Sequence, residues 1–102
     1  MLNSTIYKIT CKDNDILGCY VGRTTNFKLR YNMHKYACCN SNSKGHNMKV
    51  YIHMRENGGW CNWNMTIVET FEHTNKNEAN TKEAYYIKTL NANLNSYTWT
   101  NR

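Results

Sequence analysis

A chain of 102 residues has room for one domain with a modest core, and its 13 basic and 7 acidic side chains leave a formal net charge of +6, a balance that suits a polyanion such as nucleic acid and equally serves solubility. No apolar run approaches the roughly 20 residues of a membrane helix, and no charged start leads into an apolar block and a small-residue cleavage site. The sequence therefore predicts an intracellular protein with no membrane partner. Five cysteines, an odd number without a CxxC pair, speak against a disulfide framework or a zinc finger and are read as small buried or semi-buried thiols.

In chain order, Thr5 to Cys11 and Ile16 to Arg23 are rich in Ile, Val, Tyr and Thr, and the Lys12–Asp15 stretch between them is polar. That pattern predicts a β-hairpin. With a four-residue loop, Cys11 pairs with Ile16 and Tyr7 stands directly opposite Tyr20, with Gly22 just beyond leaving a gap in which another group can approach the backbone. Thr24-Thr25-Asn26 supplies N-cap side chains. Phe27 to about Cys38 then reads as a helix with one stripe of Leu29, Met33, Tyr36 and Ala37 and a neighbouring one of Phe27, Arg30, Tyr31 and His34. Arg30 and His34, four residues apart, share a face.

A polar loop follows, and a second helix is expected from about Asn47 through Tyr51 and Arg55, stopped by Asn57-Gly58-Gly59. Trp60 to Phe71 alternates, with Trp63, Met65, Ile67 and Phe71 on one face, which predicts a third strand with one buried side. Asn75 with Glu78 three residues on resembles a capping box for a last helix that runs to about Leu90. Ala79, Tyr86, Ile87 and Leu90 face inward in it. Glu83 falls on that stripe, where a carboxylate needs a partner: a Lys, an Arg, a tyrosine hydroxyl or a metal ion. The expected fold is α+β, a small three-stranded antiparallel sheet flanked by helices in the order β-β-α-α-β-α, as a single domain over residues 1–102.

Thr5-Ile6-Tyr7 and Tyr20-Val21-Gly22 resemble the paired tripeptides of the GIY-YIG nuclease superfamily, with Thr for the first Gly and Val for the second Ile. Arg30 lies ten residues after Tyr20 and matches the superfamily's Arg. His34 matches the His that many members carry one turn on, Glu83 the single metal-binding Glu, and Asn95 the Asn near the end of the domain. The resemblance spans residues 4 to 97 or so. It implies a divalent-metal-dependent endonuclease that cuts DNA to 5′-phosphate and 3′-hydroxyl ends, with one Mg²⁺ (or Mn²⁺) on Glu83. Catalytic roles fall to Tyr7, Tyr20, Arg30, His34 and Glu83, with Tyr7 as the base that deprotonates water. Phosphate or DNA contacts fall to Gly22, Arg23, Arg30 and Asn95.

These residue types suit phosphodiester hydrolysis. Mg²⁺ uses few protein ligands and stabilises charge on the phosphate, and a guanidinium grips phosphate oxygens with two fixed hydrogen bonds. Tyrosine titrates near pH ~10, so a tyrosine base needs help from its surroundings. Each residue also has a structural reading: a cross-strand aromatic pair for Tyr7 and Tyr20, a solvated helix face for Arg30 and His34. A non-catalytic nucleic-acid-binding module on the same scaffold is the alternative. Within these residues no DNA-recognition domain follows, so a standalone nuclease of low sequence specificity, a fragment, or reliance on a protein partner is expected. Trp60, Trp63 and Trp99 are read as buried.

Overall fold

The computed structural model describes residues 2–95; Trp99 lies outside them. Strand β1 (Leu2–Cys11) is central in a three-stranded antiparallel sheet, with β2 (Cys19–Thr24) on one side and β3 (Trp63–His73) on the other, in the order β2-β1-β3. Helices α1 (Phe27–Cys39) and α2 (Lys49–Glu56) follow β2, a single 3-10 turn (Trp60–Asn62) leads into β3, and α3 (Lys76–Thr89) comes last. The expected α+β fold and element order are those of the structure.

Both faces of the sheet are covered. Tyr7, Ile9 and Cys11 project toward α1 and α2 and join Ala37, Cys38, Val50, Tyr51, Met54, Trp60 and Trp63 in one cluster. Ile6 and Val21 project the other way and pack with Ile87 and Ala92, beside Val68, Phe71 and Tyr86. The third strand thus departs from simple alternation. Ile6 faces Glu69 while Tyr7 faces Ile67, so Val68 is an extra residue on β3. A bulge of one residue transfers every later side chain to the opposite face. Trp63 and Met65 therefore lie with Tyr7, whereas Phe71 lies with α3, and Ile67 is 56% exposed.

The hairpin also differs from its expected register. Tyr7 pairs with Gly22, Ile9 with Tyr20 and Thr10 with Cys19. The loop is longer than four residues because Ile16 closes a turn onto the Asp13 carbonyl (3.1 Å) and Gly18 takes φ +137°, a conformation open to glycine. His53 and Leu94 press on Gly18 at 2.9 and 3.0 Å from where a Cβ would sit. Leu17 is left outside, 79% exposed.

Helix ends follow the sequence signals. Asn26 Oδ1 caps α1 by accepting from the Leu29 N–H (3.0 Å), and Asn75 Oδ1 caps α3 by accepting from Glu78 N–H (3.0 Å). Glu78 reaches back to the Thr74 N–H and hydroxyl rather than to the cap residue's own N–H. Arg55 Nη1 donates to the Cys38 carbonyl (3.0 Å) at the C-terminal end of α1. On α1 most of the expected apolar stripe is exposed: Leu29, Met33 and Tyr36 face outward, and the helix buries only Ala37 of that stripe, together with His34 and Cys38. The reason is chemical, since the helix docks where Tyr7 of the sheet and Tyr51 of α2 offer His34 hydrogen-bond partners. All five thiols are free; Cys11 and Cys38 are buried, Cys19 is half-buried, and Cys39 and Cys61 are exposed. Among the described residues no helix is long and apolar enough to cross a membrane.

Candidate active site

The site begins at the Tyr7–Gly22 pair. A Cβ on Gly22 would stand 2.3 Å from Tyr7 Oη, inside any van der Waals contact, so only glycine lets the phenol lie across β2. The gap that the sequence offers to a phosphate is filled by the Tyr7 ring. Tyr20, two residues earlier on the same face of β2, is diagonal to Tyr7 with ring centroids 6.4 Å apart, not directly opposite. Phe27 closes the other side of Tyr7 at 6.2 Å, edge to face.

His34 sits over both tyrosines, its ring 5.6 Å from that of Tyr7 and 5.4 Å from that of Tyr20. Its Nε2 is 2.7 Å from Tyr7 Oη, and its Nδ1 is 2.7 Å from the hydroxyl of Tyr51, which α2 brings in from the far side. Tyr7 is fully buried and His34 is 3% exposed, so these hydrogen bonds form away from water. Burial, with the Tyr20 phenol beside it, pushes Tyr7 far above the ordinary tyrosine range, and the Arg30 guanidinium opposes that rise. Burial, then the charge on Arg30, pushes His34 down to about 4, so its imidazole is neutral at neutral pH. Burial likewise pushes Tyr51 up to about 12.

Tyr20, Arg30, His34 and Tyr51 line one open cavity of about 520 Å³ between α1, α2 and the 43–48 loop; Met33, Tyr36 and Met48 complete its apolar wall. Arg30 also borders a smaller, polar cleft of about 210 Å³ with Ser4, Arg23, Thr24 and Thr25. Arg23 and Glu83 occupy the α3 side of the sheet, since Arg23 alternates with Gly22 and faces Ile6. The Glu83 carboxylate is 3.6 Å from Arg23 Nε, and Arg23 Nη2 donates to Asn80 Oδ1 (2.9 Å). The sequence-predicted residues are thus gathered around the end of the edge strand β2 rather than on one sheet face. Tyr20, Arg30 and His34 share the cavity, Tyr7 lies behind them, and Glu83 is joined to the arginine side through Arg23.

Asn95 is tied to the same strand. Its Nδ2 donates to the Val21 carbonyl (2.8 Å) and its Oδ1 accepts from the Val21 N–H (3.0 Å). Both ends of the amide are engaged with main chain, so Asn95 holds β2 in place between Tyr20 and Gly22. Tyr51 is the site residue that the sequence does not mark. It reads there as one more inward residue of a short helix, and only the packing of α2 on α1 brings its hydroxyl to His34.

Among the described residues no three His, Cys, Asp or Glu side chains gather to hold a metal. A single half-buried carboxylate fits a cation that keeps most of its coordination as water and phosphate oxygen, as Mg²⁺ does. Glu83 meets that description, with its side chain 16% exposed and steered by Arg23.

A small α+β domain thus brings two tyrosines, a helix arginine and the Arg23-paired carboxylate of Glu83 around one edge strand. The family model for the GIY-YIG catalytic domain matches residues 3–98, nearly the whole chain, and the protein belongs to that family. It is therefore a nuclease domain of a family that acts on DNA. Neither the curated proteins nor the solved structures yield a match to this chain.

Proposed function

We propose that this nuclease is a divalent-metal-dependent DNA endonuclease that leaves 5′-phosphate and 3′-hydroxyl ends. The observation that carries the reading is the meeting, at the end of β2, of an open cavity holding Tyr20, Arg30 and His34 with a two-arginine cleft beside Glu83. Arg30 borders both spaces, which supports a role for its guanidinium in gripping a phosphate there. Arg23 adds a second positive charge and holds the Glu83 carboxylate. Glu83 would hold one Mg²⁺ or Mn²⁺, which supplies charge stabilisation on the phosphate and leaving oxygen.

The chain's own residues handle the proton. Tyr20 is half-exposed in the cavity and orients the attacking water. Tyr7 is the base, although its phenol starts protonated. It gains a proton from water only as it yields its own to His34, whose Nε2 lies 2.7 Å away.

Supercoiled plasmid incubated with Mg²⁺ or Mn²⁺ is expected to be nicked and linearised. EDTA should stop the reaction, and the products should be ligatable, as 5′-phosphate and 3′-hydroxyl ends require. Undiminished cleavage in EDTA contradicts the metal requirement. Salt-sensitive DNA binding without cleavage under any divalent ion favours the alternative, a binding module on the same scaffold.

A further inference from the structure

We propose that Tyr51 is the outlet of a directional hydrogen-bond chain, Tyr7 to His34 to Tyr51, that carries a proton from the buried Tyr7 phenol, as it takes one from the attacking water, to solvent in the cavity. The inference rests on the nuclease reading above and assigns it a positioning residue on α2.

The direction follows from the base role proposed for Tyr7. A buried phenol that takes a proton from water has to yield its own, and its hydrogen-bond partner is His34 Nε2 at 2.7 Å. Tyr7 therefore turns its O–H toward His34 Nε2. That nitrogen is then the acceptor, so the single proton of the neutral ring is on Nδ1 and is donated to Tyr51 Oη, also at 2.7 Å. Tyr51 lines the 520 Å³ cavity, so its own O–H has a way out. The groups that face His34 are Tyr7 from β1, Tyr20 from β2, Arg30 one turn earlier on α1 and Tyr51 from α2; Cys38 is close to Tyr51. None of them is a carboxylate that would compete for the imidazole proton.

On attack, the water oxygen forms its bond to phosphorus as the bond from phosphorus to the 3′ oxygen breaks. That oxygen leaves and takes a proton from solvent, and the proton of the attacking water passes to Tyr7 Oη. The Tyr7 proton moves to His34 Nε2, the Nδ1 proton to Tyr51 Oη, and the Tyr51 proton to solvent in the cavity. Every link gains one proton and loses one, so no phenolate has to stand in the buried pocket. Without Tyr51, His34 can still accept from Tyr7, but it becomes a buried cation with nowhere to pass its charge.

Tyr51→Phe keeps the ring and deletes the hydroxyl. The expected result is a fall of about a hundredfold in kcat for plasmid nicking, the low end of what a positioned proton-transfer group contributes, with KM for DNA unchanged. Solution NMR of ¹⁵N-histidine protein should show His34 protonated on Nδ1 in the wild type, and a mixed or Nε2-protonated ring in Tyr51→Phe. Wild-type His34 protonated on Nε2, an unchanged kcat in Tyr51→Phe, or a loss confined to KM would overturn the relay. A wild-type protein that folds, shows the Nδ1–H tautomer and cuts no DNA under any divalent ion overturns the nuclease reading, and the relay's task with it, while leaving the hydrogen-bond direction established.

Discussion

At the scale of single residues, the site is built from side chains whose ordinary properties have been shifted by enclosure. His34 shows the consequence most directly. Its folded-state value, about 4, lies below the ordinary 6.5, so the unfolded chain takes up a proton first as pH falls. The stability that His34 contributes is full above about pH 6.5 and is lost as pH drops toward about 4. Urea titrations across that window should show folding free energy falling with acidity by a few kcal/mol at most, and His34→Gln should flatten this part of the curve. An equally steep curve in the variant would place the acid sensitivity elsewhere. The residue identities themselves were legible in the sequence, because Tyr7, Tyr20, Arg30, His34 and Glu83 stand at spacings that match a known motif. Their environments were not. Nothing in the local sequence tells that Tyr7 is fully buried, that Asn95 binds the Val21 main chain, or that Arg23 holds Glu83.

At the scale of elements, helices were easier to read than strand registers. Asn26 and Asn75 act as N-caps, as their positions suggest, because capping is a local exchange between a side chain and a nearby N–H. Register is set by tertiary contacts. The hairpin loop is lengthened where His53 and Leu94 hold Gly18, and the one-residue bulge at Val68 moves Phe71 to the α3 face. Neither partner is visible from within the strand. Apolar spacing misled on α1 for a related reason, since a helix with a buried His and an exposed Leu29–Met33–Tyr36 edge follows its hydrogen-bond partners as well as its hydrophobicity. Gly22 belongs at this scale, because it lets β2 pass over the Tyr7 ring. Gly22→Ala should destabilise the fold by about 2 kcal/mol or more through overpacking and should abolish cleavage. Gly45→Ala, whose added Cβ would meet Met48 Sδ at an ordinary 3.4 Å, should be close to neutral. Chemical denaturation of the two variants side by side checks this, and equal effects would contradict the packing account.

At the scale of the whole molecule, helices on both sheet faces leave the end of the edge strand β2 as the place where the two halves of the site meet. Residues from β1, β2, α1 and α2 supply the tyrosine–histidine cluster, and α3 supplies the carboxylate. The positive balance of the chain and its two cleft arginines suit a phosphate backbone. DNA affinity should fall with rising salt, with a slope set by the number of phosphates neutralised. Glu83→Ala should bind DNA at least as well as the wild type, because it removes a negative charge beside Arg23. Fluorescence anisotropy with a labelled duplex reads both; a marked loss of affinity in Glu83→Ala would mean that Arg23 needs its partner to face DNA.

At Glu83 the proposed mechanism separates DNA binding from chemistry. The most direct measurement is plasmid nicking in Mg²⁺ by wild type, Glu83→Ala and Arg30→Ala at matched concentration, with thermal unfolding recorded for each. The Glu83–Arg23 pair is a partly exposed ion pair, so its loss should lower stability by no more than about 1 kcal/mol. The expected result is nicking by the wild type alone, from three folded proteins. A folded Glu83→Ala protein that nicks at the wild-type rate would contradict the proposed mechanism.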